Sequence, residues 1–180
     1  NQLLFDSVIQ SPKCYGDSTG KITIQNVTGG ITPYLYSFNN GATFTSNNVL
    51  TNIPASTYNF ILKDANNCII PKTYTLSQPT AVNLQLDSFK HAECNRLNGG
   101  VSVGTIDVSA SGGTPDYSYY KATDTARTTT ASLNNTFINL VANNYTVYVE
   151  DINGCKDSVN QIITEPDTIA YTYFDTTLPS

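Results

Sequence analysis

No feature limits the fold of this 180-residue chain more than a stretch that occurs twice. Its first copy runs Tyr58-x5-Asp64-Ala65-Asn66-Asn67-Cys68-x10-Pro79, and its second Tyr145-x5-Asp151-Ile152-Asn153-Gly154-Cys155-x10-Pro166. Every matched position is displaced by 87 residues without a gap. The match extends upstream, from Leu50-Thr51-Asn52-Ile53-Pro54-Ala55 to Phe137-Ile138-Asn139-Leu140-Val141-Ala142. The chain therefore holds two copies of one structural unit.

The repeated stretch has the pattern of a β-hairpin. Tyr58, Phe60 and Leu62 alternate with Asn59, Ile61 and Lys63, and Tyr145, Val147 and Val149 do the same in the second copy. Such period-2 alternation places one face of a strand on a core. The strand ends in Asp-x-Asn-(Asn/Gly), where Asn67 and Gly154 tolerate positive φ at low cost. A tyrosine five residues after Ile53 or Leu140 resembles the tyrosine corner of immunoglobulin-like sandwiches.

Reading the chain in order completes the unit. First strands fall within residues 1–11 and 82–90, carried by Leu3 and Phe5 and by Val82, Leu84 and Leu86. Second strands follow at 21–27 and 103–109, and both copies then turn at a glycine pair, Gly29-Gly30 and Gly112-Gly113. Tyr34 and Tyr36, or Tyr117 and Tyr119, come next on a core face, while Tyr120 points the other way and is expected to be exposed. The copies differ in length only in turn-rich stretches, as surface loops allow. The expectation is an all-β chain: two tandem immunoglobulin-like (Greek-key) β-sandwiches of seven short strands each, forming a rod. Their bounds are 1–80 and 81–168, with 169–180 opening a third unit at Ile169, Tyr171 and Tyr173. The Pro79 and Pro166 connections are too short to flex.

Charged residues make up 13% of the chain, about half the usual share, and neutral Asn, Ser and Thr replace them. A net charge of −5 excludes the basic footprint that nucleic acid requires. No apolar run is long enough to insert this segment in a membrane. A signal peptide is absent, and a segment cut from a longer exported chain is the expectation.

Four cysteines fall two per copy: Cys14 and Cys68, then Cys94 and Cys155. Three pairings are open, and the repeat favours one bond inside each unit, Cys14–Cys68 and Cys94–Cys155. Disulfides imply an oxidising, extracytoplasmic location. A zinc site would need closely spaced cysteines or histidines, and His91 is the sole histidine. His91 beside Glu93 and Cys94 is also the only candidate base, but it has no counterpart in the other copy. It reads as an exposed loop residue. The Asp-x-Asn turns lack the further oxygen ligands of a calcium loop. No metal, cofactor or catalytic constellation is expected.

The order Cys … Gly-Gly-x-x-x-Tyr-x-Tyr … Asn-Ile/Leu-x-Ala-x-x-Tyr … Asp-x-Asn-Asn/Gly-Cys … Gln/Glu-Pro resembles the SprB repeat. It is met at Cys14, Gly29-Gly30, Tyr34, Tyr36, Asn52-Ile53, Ala55, Tyr58, Asp64, Cys68 and Pro79. The second copy meets it at Cys94, Gly112-Gly113, Tyr117, Tyr119, Asn139-Leu140, Ala142, Tyr145, Asp151, Cys155 and Pro166. Ser56 and Asn143 depart from it where the family often has Gly. The resemblance implies stalk repeats of a giant adhesin, exported by type IX secretion and attached to the outer membrane, that serves gliding motility and surface attachment. Its partners would be neighbouring repeats of the same long chain, the motility machinery or substratum polysaccharide. The alternative is a carbohydrate-binding or spacer module of a secreted polysaccharide-degrading enzyme.

Six of the 11 Asp residues are followed by Ser or Thr and then by Ala, Ile, Leu, Val or Thr. The hydroxyls are Ser7, Ser18, Thr125, Ser158, Thr168 and Thr176. Asp-Ser and Asp-Thr pairs suit turns and strand ends, but that leaves the third position unexplained. The triplet resembles the O-glycosylation signal of proteins from bacteria that use type IX secretion. It implies glycans at these six positions, all expected at strand ends or in loops.

Overall fold

A computed structural model describes residues 2–93, 103–123, 126–127 and 133–166. The alternating stretches form strands, and no helix occurs among the described residues. In the first copy these are β1 (Leu4–Gln10), β2 (Gly20–Thr28), β3 (Leu35–Ser37), β4 (Val49–Ile53), β5 (Thr57–Lys63) and β6 (Ile69–Thr75). They build two antiparallel sheets, ordered β1-β2-β4 and β3-β5-β6. The chain crosses between sheets after β2, β3 and β4, the Greek-key route of an immunoglobulin-like sandwich. Pro71 lies in β6, an edge strand, where a missing N–H donor is tolerated.

The inward positions of both sheets meet in one core. Leu3, Ile22, Ile24 and Ile53 pack against Phe60, Leu62, Tyr74 and Leu76, all buried. Phe60 is at its centre, with the rings of Phe5, Tyr36, Phe38 and Tyr74 centred 5.1–6.4 Å away, within the range of favourable aromatic packing. Tyr34, Tyr36 and Phe38 are partly buried and packed against this core.

The second copy repeats the topology with β7 (Asn83–Lys90), β8 (Gly104–Ser111), β9 (Ser118–Thr123), β10 (Ala126–Arg127), β11 (Thr136–Leu140), β12 (Asn143–Glu150) and β13 (Lys156–Ile163). Its sheets are β11-β8-β7 and β10-β9-β12-β13. Ile106, Val108, Leu140, Val147, Val149 and Ile163 are fully buried. Seven strands per copy were expected; among the described residues the first copy has six and the second seven. Between β3 and β4 the chain makes only the bridge Tyr36–Thr45. The Asn39 side chain instead ties this segment to Thr43 by two hydrogen bonds.

By compactness the chain forms two units that do not follow the sequence repeats. One joins Asn1–Asn83 with Ala110–Ser118 and Val149–Asp157. The other contains the described parts of Leu84–Ser109 and Tyr119–Tyr148 and those from Ser158 onward.

The asparagine of each Asn-Ile/Leu pair has a backbone role. Asn52 (φ 56°) and Asn139 (φ 57°) are left-handed, and each stands at a register shift, β4 against β2 and β11 against β8. Asparagine enters that region more readily than most residues, and bulges use it to re-aim a strand.

Candidate functional site

The repeated residues converge at the turns after β5 and β12. Asp64 Oδ1 accepts the N–H groups of Asn66 (2.9 Å) and Cys68 (2.8 Å), and Oδ2 accepts that of Ile31 (3.0 Å). Asp151 repeats this with Asn153 (2.9 Å), Cys155 (2.9 Å) and Thr114 (2.8 Å). Asp64 N–H donates to the Cys68 carbonyl at 3.0 Å, and Asp151 N–H to that of Cys155 at 2.9 Å. Asn67 (φ 64°) and Gly154 (φ 85°) supply the positive φ that the sequence pattern requires.

Both carboxyl groups are buried. Burial by itself pushes the Asp64 carboxyl up, but the N–H donors of Ile31, Cys68 and Asn66 outweigh it and hold the group below its ordinary value. The carboxylates face donors, so these turns are knots of the backbone rather than cation sites. Among the described residues no cluster of three His, Cys, Asp or Glu could hold a metal ion.

The second glycine of each pair faces the same carboxylate. Gly30 has φ +62°, and a Cβ built on it would stand 2.8 Å from Asp64 Oδ2; at Gly113 (φ +58°) the distance to Asp151 Oδ2 would be 2.6 Å. One residue earlier, the Gly29 carbonyl accepts the Tyr34 hydroxyl (2.6 Å), and the Gly112 carbonyl that of Tyr117 (2.5 Å). The tyrosine corners are present too: Tyr58 donates to the Pro54 carbonyl and Tyr145 to that of Val141, each at 2.9 Å.

The cysteines depart from expectation. Cys14 is bonded to Cys155, with Cα atoms 5.5 Å apart, and Cys68 is a free, exposed thiol. The expected Cys14–Cys68 and Cys94–Cys155 pairs are therefore corrected; Cys94 itself lies outside the described residues. The bond joins the first sequence repeat to the second, inside one compact unit. The Asp carboxylate accepts the same three backbone N–H groups in both turns, so this clamp does not select the partner. The selection comes from the Lys13-Cys14 segment, which runs beside the second turn, with the Lys13 carbonyl oxygen 3.4 Å from Cys155 Sγ.

His91 is exposed, accepts the Thr164 N–H at Nδ1 (3.1 Å) and meets Phe89 edge-on. Tyr120, expected to be exposed, is buried and stacks on Tyr148 at 5.0 Å and 10°. Its strand β9 lies inside a sheet, between β10 and β12, so a neighbouring ring is available on the outer face as well. Ser7, Ser18 and Ser158 are exposed. Ser7 and Ser158 lie within the edge strands β1 and β13 rather than at strand ends or in loops. Thr125, Thr168 and Thr176 lie outside the described residues.

Compared with known proteins, residues 7–43 match the SprB repeat. Among curated proteins none matches the chain. Solved structures similar to it include three N-terminal domains of the bacteriophage RB49 Highly Immunogenic Outer Capsid protein (Hoc). That likeness has 10% identity and a TM-score of 0.48, and covers 91% of this chain and 58% of that one. A C-terminal 282-residue fragment of intimin, solved with the translocated intimin receptor's intimin-binding domain, shows 12% identity and a TM-score of 0.45, covering 91% of this chain and 64% of that one. The Clostridium thermocellum CbhA fibronectin(III)-like modules show 13% identity and a TM-score of 0.38, covering 93% and 100%. The chain thus spans about 60% of the Hoc and intimin structures.

Proposed function

We propose that this chain is a structural, non-catalytic repeat segment of an extracellular cell-surface protein: stalk repeats of a secreted adhesin that serves surface attachment and gliding motility. The observation that carries the reading is the Cys14–Cys155 bond across two copies of one unit. A covalent link over 141 residues keeps tension on the chain ends from extending the enclosed segment. Disulfides persist outside the cytoplasm, and the SprB match over residues 7–43 agrees with such a location. Neighbouring repeats of the same long chain are its proposed partners, with motility machinery or substratum polysaccharide beyond them. Glycans on the exposed Ser7, Ser18 and Ser158, and on Thr125, Thr168 and Thr176, belong to the same proposal.

The test is an in-frame deletion of this segment in the native host, with surface attachment and polysaccharide breakdown measured side by side. Lost attachment with intact breakdown is the expected result. Normal attachment with lost breakdown would replace the stalk by the enzyme accessory.

A further inference from the structure

Between β3 and β4, edge strands of the two sheets of the first copy, lies a cavity of about 390 Å³. One wall holds the rings of Tyr36, Phe38 and Tyr58, half-buried where they pack against the core. The other is the loop between the two strands, which contributes Asn39, Thr43, Thr45 and Asn47. No lining residue is charged. Burial pushes the Tyr36 and Tyr58 phenols up, so both stay neutral.

The loop is fixed before any ligand arrives. Tyr36 and Thr45 exchange two backbone hydrogen bonds (2.8 and 3.0 Å), Lys63 Nζ lies 4.1 Å from the Phe44 ring, and Asn48 Nδ2 donates to the Ile24 carbonyl at 2.7 Å. Asn47 Oδ1 accepts the Val49 N–H at 3.0 Å. Among the described residues, Asn47 Nδ2 and the Tyr36 hydroxyl have no hydrogen-bond partner. The second copy does not keep this arrangement. Tyr119, the counterpart of Tyr36, is buried, and Lys121 stands in the place of Phe38. Its Nζ lies 5.4 Å from the ring of Tyr145, the counterpart of Tyr58.

We propose that this cavity binds a short segment of a neutral saccharide. The aromatic wall meets the C–H faces of the sugar rings, while Asn47 Nδ2 and the Tyr36 hydroxyl bond hydroxyls at their edge. A sugar ring combines those two surfaces, and the cavity places an apolar wall beside a rim of amides and hydroxyls to match them. Its volume is at the small end of small-molecule sites, roughly 300–1,000 Å³, which suits a chain segment and excludes a folded partner. A lining without charge gives an acidic polymer nothing to pair with once desolvated.

A peptide strand added to β3 is the competing occupant, and it needs a free main-chain edge. Tyr36 offers none, because its N–H and its carbonyl are both bonded to Thr45. Recognition here runs through side chains. Only the extracellular location, where such polymers are met, is taken over from the proposed function.

The test is a titration of the whole 180-residue chain followed by NMR. The probes are neutral cello-, xylo-, manno- and galacto-oligosaccharides, oligogalacturonate as their acidic counterpart, and an alternating Val-Thr peptide as a strand former. At least one neutral oligosaccharide should saturate the chain, with shifts centred on Tyr36, Asn47 and Tyr58. Tyr36→Phe keeps the ring and removes the hydroxyl. Asn47→Asp keeps the acceptor for the Val49 N–H and removes the amide donor. Each should weaken binding about two- to tenfold, as loss of one neutral hydrogen bond does. Tyr15→Ala, at an exposed tyrosine outside the cavity, should leave the affinity unchanged. No saturation by any neutral oligosaccharide, tighter binding of oligogalacturonate or of the peptide, or parental affinity in both cavity variants overturns the proposal. Attachment lost on deletion of the segment, with a silent titration, leaves the stalk without this site. A saturable titration with normal attachment leaves the site without the stalk role.

Discussion

Asp64 Oδ2 stands 2.8 Å from where a Cβ on Gly30 would lie, and the same oxygen accepts the Ile31 N–H. The glycine leaves room for the carboxylate, which in turn holds the backbone one residue further on. Gly30→Ala should therefore destabilise the first sandwich, by about 1–2 kcal/mol from its left-handed φ alone, with displacement of the carboxylate added. Urea unfolding of the variant measures it. Unchanged stability would mean that the Gly-Gly pair is not required for the turn.

The pH response follows from the donors around Asp64. They hold its folded pKa below the unfolded value of about 3.9. Between the two values the unfolded chain binds more protons, so stability rises with pH there. The contribution is complete above the unfolded pKa and is lost as pH falls through the folded one. Unfolding midpoints from pH 2 to 7 should show an acid limb that is shallower in Asp64→Asn than in the parent.

Tyrosine corners give a graded prediction. Tyr145→Phe removes a hydroxyl from a buried ring and should cost about 1–1.5 kcal/mol; Tyr58→Phe, on a more exposed ring, should cost about 0.5–1 kcal/mol. Thermal melts of both variants check the order, and the reverse order would contradict the burial assigned to the two rings.

Much of this fold was legible because strand pairing leaves a two-residue signature. Phe60, Leu62, Val147 and Val149 fall inward as alternation requires, and Asn67 and Gly154 take the positive φ that turn chemistry demands. Partner choice was not legible. Cys14 has the same sequence relation to Cys68 as Cys94 has to Cys155, and only the path of the Lys13-Cys14 segment decides between them. Tyr120 was misplaced because alternation tells which face a side chain takes, not whether a ring such as Tyr148 covers that face. The triple clamp on Asp64 and Asp151 was also missed. The recurrence of Gly-Gly and Asp in both copies was its only sequence signal, and Ile31 and Thr114, which complete it through backbone N–H groups, leave no residue-type mark.

The disulfide carries a stability prediction. In the chain-entropy treatment, closing a 141-residue loop is worth about 5 kcal/mol at most. Cys14→Ser and Cys155→Ser should lower the melting temperature alike, and the double variant no further. Cys68→Ser in the isolated chain should change stability by less than about 0.5 kcal/mol, as exposed substitutions do. A large loss in Cys68→Ser that equals the loss in Cys14→Ser, with no further loss when both are replaced, would restore the within-unit pairing.

Pulling a single molecule by its two ends tests the force-bearing role most directly. With the Cys14–Cys155 bond intact, the 141-residue span between the cysteines is withheld from extension. Adding a reductant should release roughly 470–510 Å of further contour length, at about 3.3–3.6 Å per residue over those 141 residues. That gain on reduction is the predicted result. The same full contour length with and without reductant would contradict the account.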